Sequence, residues 1–211
     1  MKILDNYIDA GLLKIKNIDL PLRVKINKKR HINRKNRRIL GNSIEERPQE
    51  VNERKEFGHW EIDTVIGTKA KSPVLLTLVE RVTRKLITMI IPNKTEESVK
   101  RAIRQIYKQY GKKARKIFKS ITADNGVEFT NLKEAITSII IYYAHPYSSY
   151  ERGTNEKTNS LLRRFFPKGK SLEGISNEIV QRVAYYINHL PRKVLNYTYS
   201  DDLFNQNVNN L

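Results

Sequence analysis

Three apolar, β-rich runs open the strongly patterned part of the chain: His59–Ile66, Val74–Glu80 and Leu86–Ile91. A turn from Gly67 to Pro73 and a short link from Arg81 to Lys85 separate them, and connections this short predict an antiparallel meander. In the first run, alternation puts Trp60, Ile62, Thr64 and Ile66 on one face and His59, Glu61, Asp63 and Val65 on the other. The period then changes. Thr95 is placed to cap a helix in which Val99, Ala102, Ile103, Ile106, Tyr107 and Tyr110 form one buried stripe, and Gly111 ends it.

A fourth strand is expected from Ile117 to Ala123, closed by Asp124-Asn125-Gly126. A short helix over Glu128 to Thr137 and an apolar strand over Ser138 to Tyr143 follow, an order that implies a right-handed parallel crossover. Beyond a loop holding Pro146 and Gly153, helices are expected from Thr154 to Phe166, stopped by Pro167, and from Ser176 to Asn188, with Ile179, Val183, Tyr186 and Ile187 on one face. The series describes an α/β fold, a mixed five-stranded sheet flanked by helices, in the order of a ribonuclease H-like domain. The reading divides the chain into a basic arm over residues 1–56, a core over 57–167 and a helical extension over 168–211.

Charge adds a partner to this picture. Forty Lys and Arg stand against 22 Asp and Glu, a net charge of +18, which suggests a polyanion. Nine of the sixteen residues from Arg23 to Arg38 are basic and none is acidic. Lys28, Lys29, Arg30, Arg34, Lys35, Arg37 and Arg38 are therefore expected to hold DNA, ordering on contact with it. The absence of cysteine excludes disulfides, thiolate zinc sites and a cysteine nucleophile. The four histidines form no pair at metal-ligand spacing. No apolar stretch is long enough to span a bilayer and the N-terminus does not read as a signal peptide, so a cytoplasmic location is expected.

The chemistry resides in the carboxylates. An acid in the middle of an apolar strand is costly to bury without a partner or a metal, yet alternation alone leaves Glu61 and Asp63 as equal candidates. Asp124 follows a strand at the edge where open α/β sheets bind ligands, although Asp-Asn-Gly is also a turn sequence. Glu156 falls in the first turn of its helix, where capping would also explain it. Glu128 and Glu151 are rival acids. Three gathered carboxylates repel, and divalent cations remove that cost; an all-oxygen set favours Mg2+ or Mn2+, with two ions clamping the oxygens of an in-line displacement at phosphorus.

From Gly58 onward, GHWEIDTVIG, TADNGVEF and HPYSSYERGTNEKTNSLLRRFFPKG resemble the IS-thirty family of insertion-sequence transposases, over about Ser43 to Phe204. The third motif is highly specific. The resemblance implies a ribonuclease H-like integrase core whose two Asp and one Glu bind two divalent ions, cut the element's ends and join them to target DNA. Carried over by position, these acids are Asp63, Asp124 and Glu156. Lys157, Arg163 and Arg164 would grip phosphates, and Tyr147 and Tyr150 would offer aromatic surfaces. Transposases of this fold act as multimers on paired ends, so a homo-oligomer is expected.

Some positions depart from the family pattern. Tyr150 replaces a frequent Trp, His145 a frequent Asp, and 31 residues separate Asp124 from Glu156, a slightly short interval. No helix-turn-helix pattern is visible ahead of Gly58, which motivates a second reading: a truncated, non-catalytic DNA-binding remnant. A ribonuclease H acting on RNA–DNA hybrids fits the third motif less well.

Overall fold

The computed structural model describes residues 7–8, 10–14, 40–68, 72–146 and 148–211. Two compact units emerge, residues 1–35 and 36–211. The described part of the first is a helical turn at Tyr7 and Ile8, followed by Gly11 at φ 69, which donates its N–H to the Ile8 carbonyl. The basic positions Lys28, Lys29, Arg30, Arg34, Lys35, Arg37 and Arg38 lie outside the described residues.

The second unit is built on one mixed sheet. Its strands are β1 (Asn42–Ser43), β2 (His59–Ile66), β3 (Val74–Glu80), β4 (Leu86–Ile91), β5 (Ser120–Ala123) and β6 (Ile140–Tyr143), in the order β1-β6-β5-β2-β3-β4. The expected meander is present as antiparallel β2, β3 and β4, and the expected crossover as β5 and β6, both parallel to β2. Beyond the five expected strands, the two-residue β1 pairs parallel to β6.

The helices are α1 (Gln49–Asn52), α2 (Glu96–Gln109), α3 (Ala114–Ile117), α4 (Leu132–Ala135), α5 (Gly153–Leu162), α6 (Asn177–Asn188) and α7 (Ser200–Asn209). Thr95 accepts the Ser98 N–H and caps α2, whose buried Val99, Ala102, Ile103 and Ile106 reproduce the sequence stripe. They pack on Trp60, Ile62, Leu76, Leu78 and Ile121 across one face of the sheet. Trp60 is fully buried; its indole N–H donates to the Ile117 carbonyl at 2.8 Å and its ring stacks on Phe118. Phe204 of α7 closes this cluster edge-on to Trp60, so the end of the chain contributes to the same core. Each such aromatic or aliphatic side chain adds roughly 1.5–3 kcal/mol of burial. Gly58 turns the chain into β2 at φ 102, where a Cβ would meet the Lys116 carbonyl oxygen at 3.0 Å.

The second face of the sheet carries Val65, Leu75, Val79 and Leu86 beneath α5 and α6. Here α6 is rotated from the expected orientation. Val180, Ala184 and Ile187 are buried, whereas Ile179 and Tyr186 are exposed. The reason is the free edge of β4. Asn188 accepts the Leu86 N–H at 2.8 Å and donates to the Leu86 carbonyl at 2.9 Å, while Gln181 donates to the Thr88 carbonyl at 2.6 Å. Satisfying an exposed strand edge outweighs burying one more apolar side chain. The predicted helices after β5 and after Gly153 are also shorter than the pattern suggested, the first breaking into a 3-10 turn at Val127–Phe129 and α4, the second ending at Leu162.

Candidate active site

The parallel register of β2 and β5 pairs Glu61 with Thr122. Two residues further along each chain stand Asp63, inside β2, and Asp124, just past the end of β5. The strands thus deliver both carboxylates to one edge. Arg152 joins them from the start of α5, donating to Asp124 Oδ2 at 3.1 Å and lying 3.8 Å from Asp63 Oδ1. It also donates to the Ile62 carbonyl at 3.2 Å, which ties the guanidinium to β2.

Asp63 is held on every side. Its Oδ2 accepts the Asn159 side-chain N–H at 2.9 Å and its Oδ1 accepts the Thr64 N–H at 2.8 Å. Burial raises its pKa above the ordinary carboxyl value, and the neighbouring Asp124 adds to the rise; Arg152, the Thr64 N–H and Lys94 oppose it. A carboxyl that keeps its proton longer when folded favours the fold below its unfolded value of about 4, and that contribution is lost as pH rises through the raised folded value. At neutral pH the Asp63 carboxylate therefore costs stability. Asp63→Asn is expected to melt higher than the parent chain at pH 7 in EDTA, with the gap closing toward pH 4; equal melting temperatures at both pH values would count against this.

Asp124 is a turn former, as its sequence offered, and also pairs with Arg152. Its Oδ1 accepts the Gly126 N–H at 2.9 Å, making the turn, while Oδ2 faces Arg152. A Cβ at position 126 would lie 2.5 Å from Glu128 Oε2 and 2.8 Å from Asp124 Oδ1, so any larger residue there would displace both carboxylates. Glu128 is buried beside this turn, ion-paired to Lys94 at 2.9 Å and accepting the Thr64 hydroxyl at 3.2 Å.

Glu61 has a different environment, although it shares a strand face with Asp63. It is fully buried, ion-paired to Arg81, and accepts the Asn155 backbone N–H at 2.9 Å. It anchors the first turn of α5 to the sheet. Glu151 is likewise engaged elsewhere, accepting the backbone and ring N–H of His145, each at 2.8 Å.

Glu156 follows Asn155 on α5, with its carboxyl exposed. At 100° per residue, Asn155, Asn159 and Leu162 face the sheet, and Glu156 shares the flank of Ser160 and Arg163. The structure brings Asp63 and Asp124 together and leaves Glu156 one helical stripe away. Among the described residues no group of three or more His, Asp or Glu is assembled as a metal site. Arg163 donates to the Ile66 carbonyl at 2.7 Å, and Lys157 and Arg164 are exposed. Tyr147 lies outside the described residues, as does the side chain of Tyr150. Sequence reading missed Arg152 and Asn159. Both stand in the third motif, Asn159 four residues after Asn155 and so on the same helix face.

A ribonuclease H-like sheet carries one acid within a central strand and a second just past the end of the parallel strand beside it, and residues 53–147 match the integrase core domain family. Similarity extends well past that segment. A probable transposase for insertion-like sequence element IS1161 of Streptococcus salivarius is 48% identical over 96% of this chain and 58% of its own length. The transposase for IS4351 of Bacteroides fragilis is 35% identical over 79% of this chain and 50% of its own. A transposase InsI for IS30C of Escherichia coli K12 is 33% identical over 81% and 44%. The chain belongs to this family of insertion-sequence transposases, and it spans about half the length of the curated relatives it matches.

Proposed function

We propose that the chain is the catalytic core of a DNA transposase that cuts the ends of an insertion sequence and joins them to target DNA, using divalent metal ions held by Asp63, Asp124 and Glu156. The observation that carries this reading is the register that places Asp63 and Asp124 side by side under a bridging cation. Two adjacent carboxylates share one guanidinium, and burial raises the pKa of Asp63, so the pair suits a further cation. The donors are all oxygen, which fits Mg2+ or Mn2+. Bound there, such ions would activate the attacking oxygen and neutralise the leaving one at phosphorus.

The chain's own residues supply the rest. Asn159 orients Asp63, Arg152 keeps the two aspartates together in the resting site, and Glu156 completes the acid set from α5. Lys157, Arg163 and Arg164 on and after that helix grip the DNA backbone, together with the basic arm before residue 39. The protein works in the cytoplasm, as a homo-oligomer on paired ends. The second reading, a DNA-binding remnant, separates cleanly in one assay. A labelled duplex carrying an element end is incubated with supercoiled plasmid, and joined product is expected in Mg2+ or Mn2+ and not in EDTA. Binding without cleavage or joining in either metal would establish the remnant. Mg2+ is also expected to raise the melting temperature of the parent chain and to leave that of Asp63→Asn unchanged; an equal rise in both would place the ion elsewhere.

A further inference from the structure

On the flank of α5 turned away from Asp63, the described residues enclose a cavity of about 440 Å³. Arg54, Arg84, Lys157, Arg192 and Lys193 line it around Thr154, and none of its lining residues is acidic. Like charges gathered in a recess repel, so this arrangement calls for an anion. The arginines converge. Arg84 donates to the Thr154 hydroxyl at 2.6 Å and Arg54 to the same oxygen at 3.4 Å. Both adopt left-handed backbone conformations, at φ 62 and φ 59, which residues of this size rarely take up.

Donors are left over. The Nε atoms of Arg84 and Arg192 are buried and lack a hydrogen-bond partner within the described structure. The cavity also reaches the start of α5, where Gly153 and Thr154 line it and the N-cap residue Arg152 makes no capping bond, Glu61 taking only the Asn155 N–H from the sheet side. The helix dipole adds to the attraction for negative charge there. Burial, reinforced by the Arg54 charge, pulls the Arg84 pKa down to about 10, still far above neutrality, so the cluster remains cationic.

We propose that this cavity is a phosphate site that seats a backbone phosphodiester of DNA, gripping the strand on one flank of α5 while the carboxylates work on the other. It deepens the transposase reading and rests on it for the identity of the polyanion. Because α5 carries both Asn159, which touches Asp63, and Thr154, which touches the arginines, a phosphate seated here would also hold the helix in register with the acids.

The test measures binding of a labelled 20-base-pair duplex by fluorescence anisotropy in EDTA, across a series of KCl concentrations, so that it does not depend on catalysis. Arg54→Gln with Arg192→Gln is expected to weaken binding roughly tenfold at 150 mM salt and to flatten the slope of log K against log salt by about 0.9, the value for one lost phosphate contact. Lys193→Gln, at the exposed rim, is expected to lose a few-fold and guards against misfolding of the double variant. Lys108→Gln with Lys112→Gln removes equal charge far from the cavity and is expected to lose less. Parent-like affinity and slope in both cavity variants, or losses no larger than those of the distant pair, overturn the proposal. Cavity variants that lose only pyrophosphate binding by calorimetry, while binding DNA as the parent does, would make it a site for a small anion instead. Failure of the parent chain to bind DNA would sink both this site and the transposase reading. Loss in the cavity variants of a chain that never joins DNA would leave the site standing and remove only the catalysis.

Discussion

Asp124→Asn is expected to lower strand transfer by at least about 10²–10³-fold while leaving the fold intact. The substitution is unusually clean. The Asp124 Oδ1 atom makes the turn by accepting the Gly126 N–H, and the amide oxygen of Asn performs that task equally well. What disappears is the negative charge on the atom that faces Arg152, and with it one of the oxygens available to a divalent ion. Circular dichroism and melting temperature should therefore match the parent, with joined product lost in both Mg2+ and Mn2+. Glu156→Gln should show the same separation of fold from activity, because its carboxyl is exposed on α5. Undiminished joining in either variant refutes that residue's assignment. Of the two, Glu156 is the sharper test, since no group of three acids is assembled among the described residues.

Much of the architecture was legible because it rests on local signals. The meander follows from short turns between β-rich runs, α2 from a capped 3.6-residue stripe, and the parallel pair from strand, helix and strand in order. Other features depend on partners distant in sequence. β1 is two polar residues whose only signal is the edge of β6 they complete. The rotation of α6 is set by two backbone groups of Leu86 that Asn188 must satisfy, which no hydrophobic pattern encodes. Within the site, alternation placed Glu61 and Asp63 on one face and could go no further. The difference between them is made by Arg81 in the hairpin turn and by the Asn155 N–H, which take Glu61, and by Arg152 and Asn159, which take Asp63.

That division of labour between two neighbouring acids predicts the largest effect on stability. Arg81→Met is expected to destabilise the fold by about 3–5 kcal/mol, because it leaves Glu61 charged, fully buried and without its counter-ion. Arg81 is itself almost fully buried; its pKa is drawn down by desolvation and held up chiefly by Glu61, so each ion is tolerated through the other. It also donates to the carbonyls of Val51 and Asn52, tying α1 to the sheet, and those bonds are lost too. Replacing both partners, Glu61→Leu with Arg81→Met, removes the unpaired charge and should recover most of the loss in urea denaturation. Recovery of stability is not expected to restore strand transfer. The Asn155 N–H that opens α5 would have lost its acceptor, and α5 carries Asn159, Glu156 and the threonine of the cationic cavity. A stable double variant with at least about tenfold weaker joining would show that the buried pair positions the helix as well as holding the core. A loss of less than about 1 kcal/mol in Arg81→Met would show instead that Glu61 does not depend on Arg81, and the positioning role of the pair would fall with it.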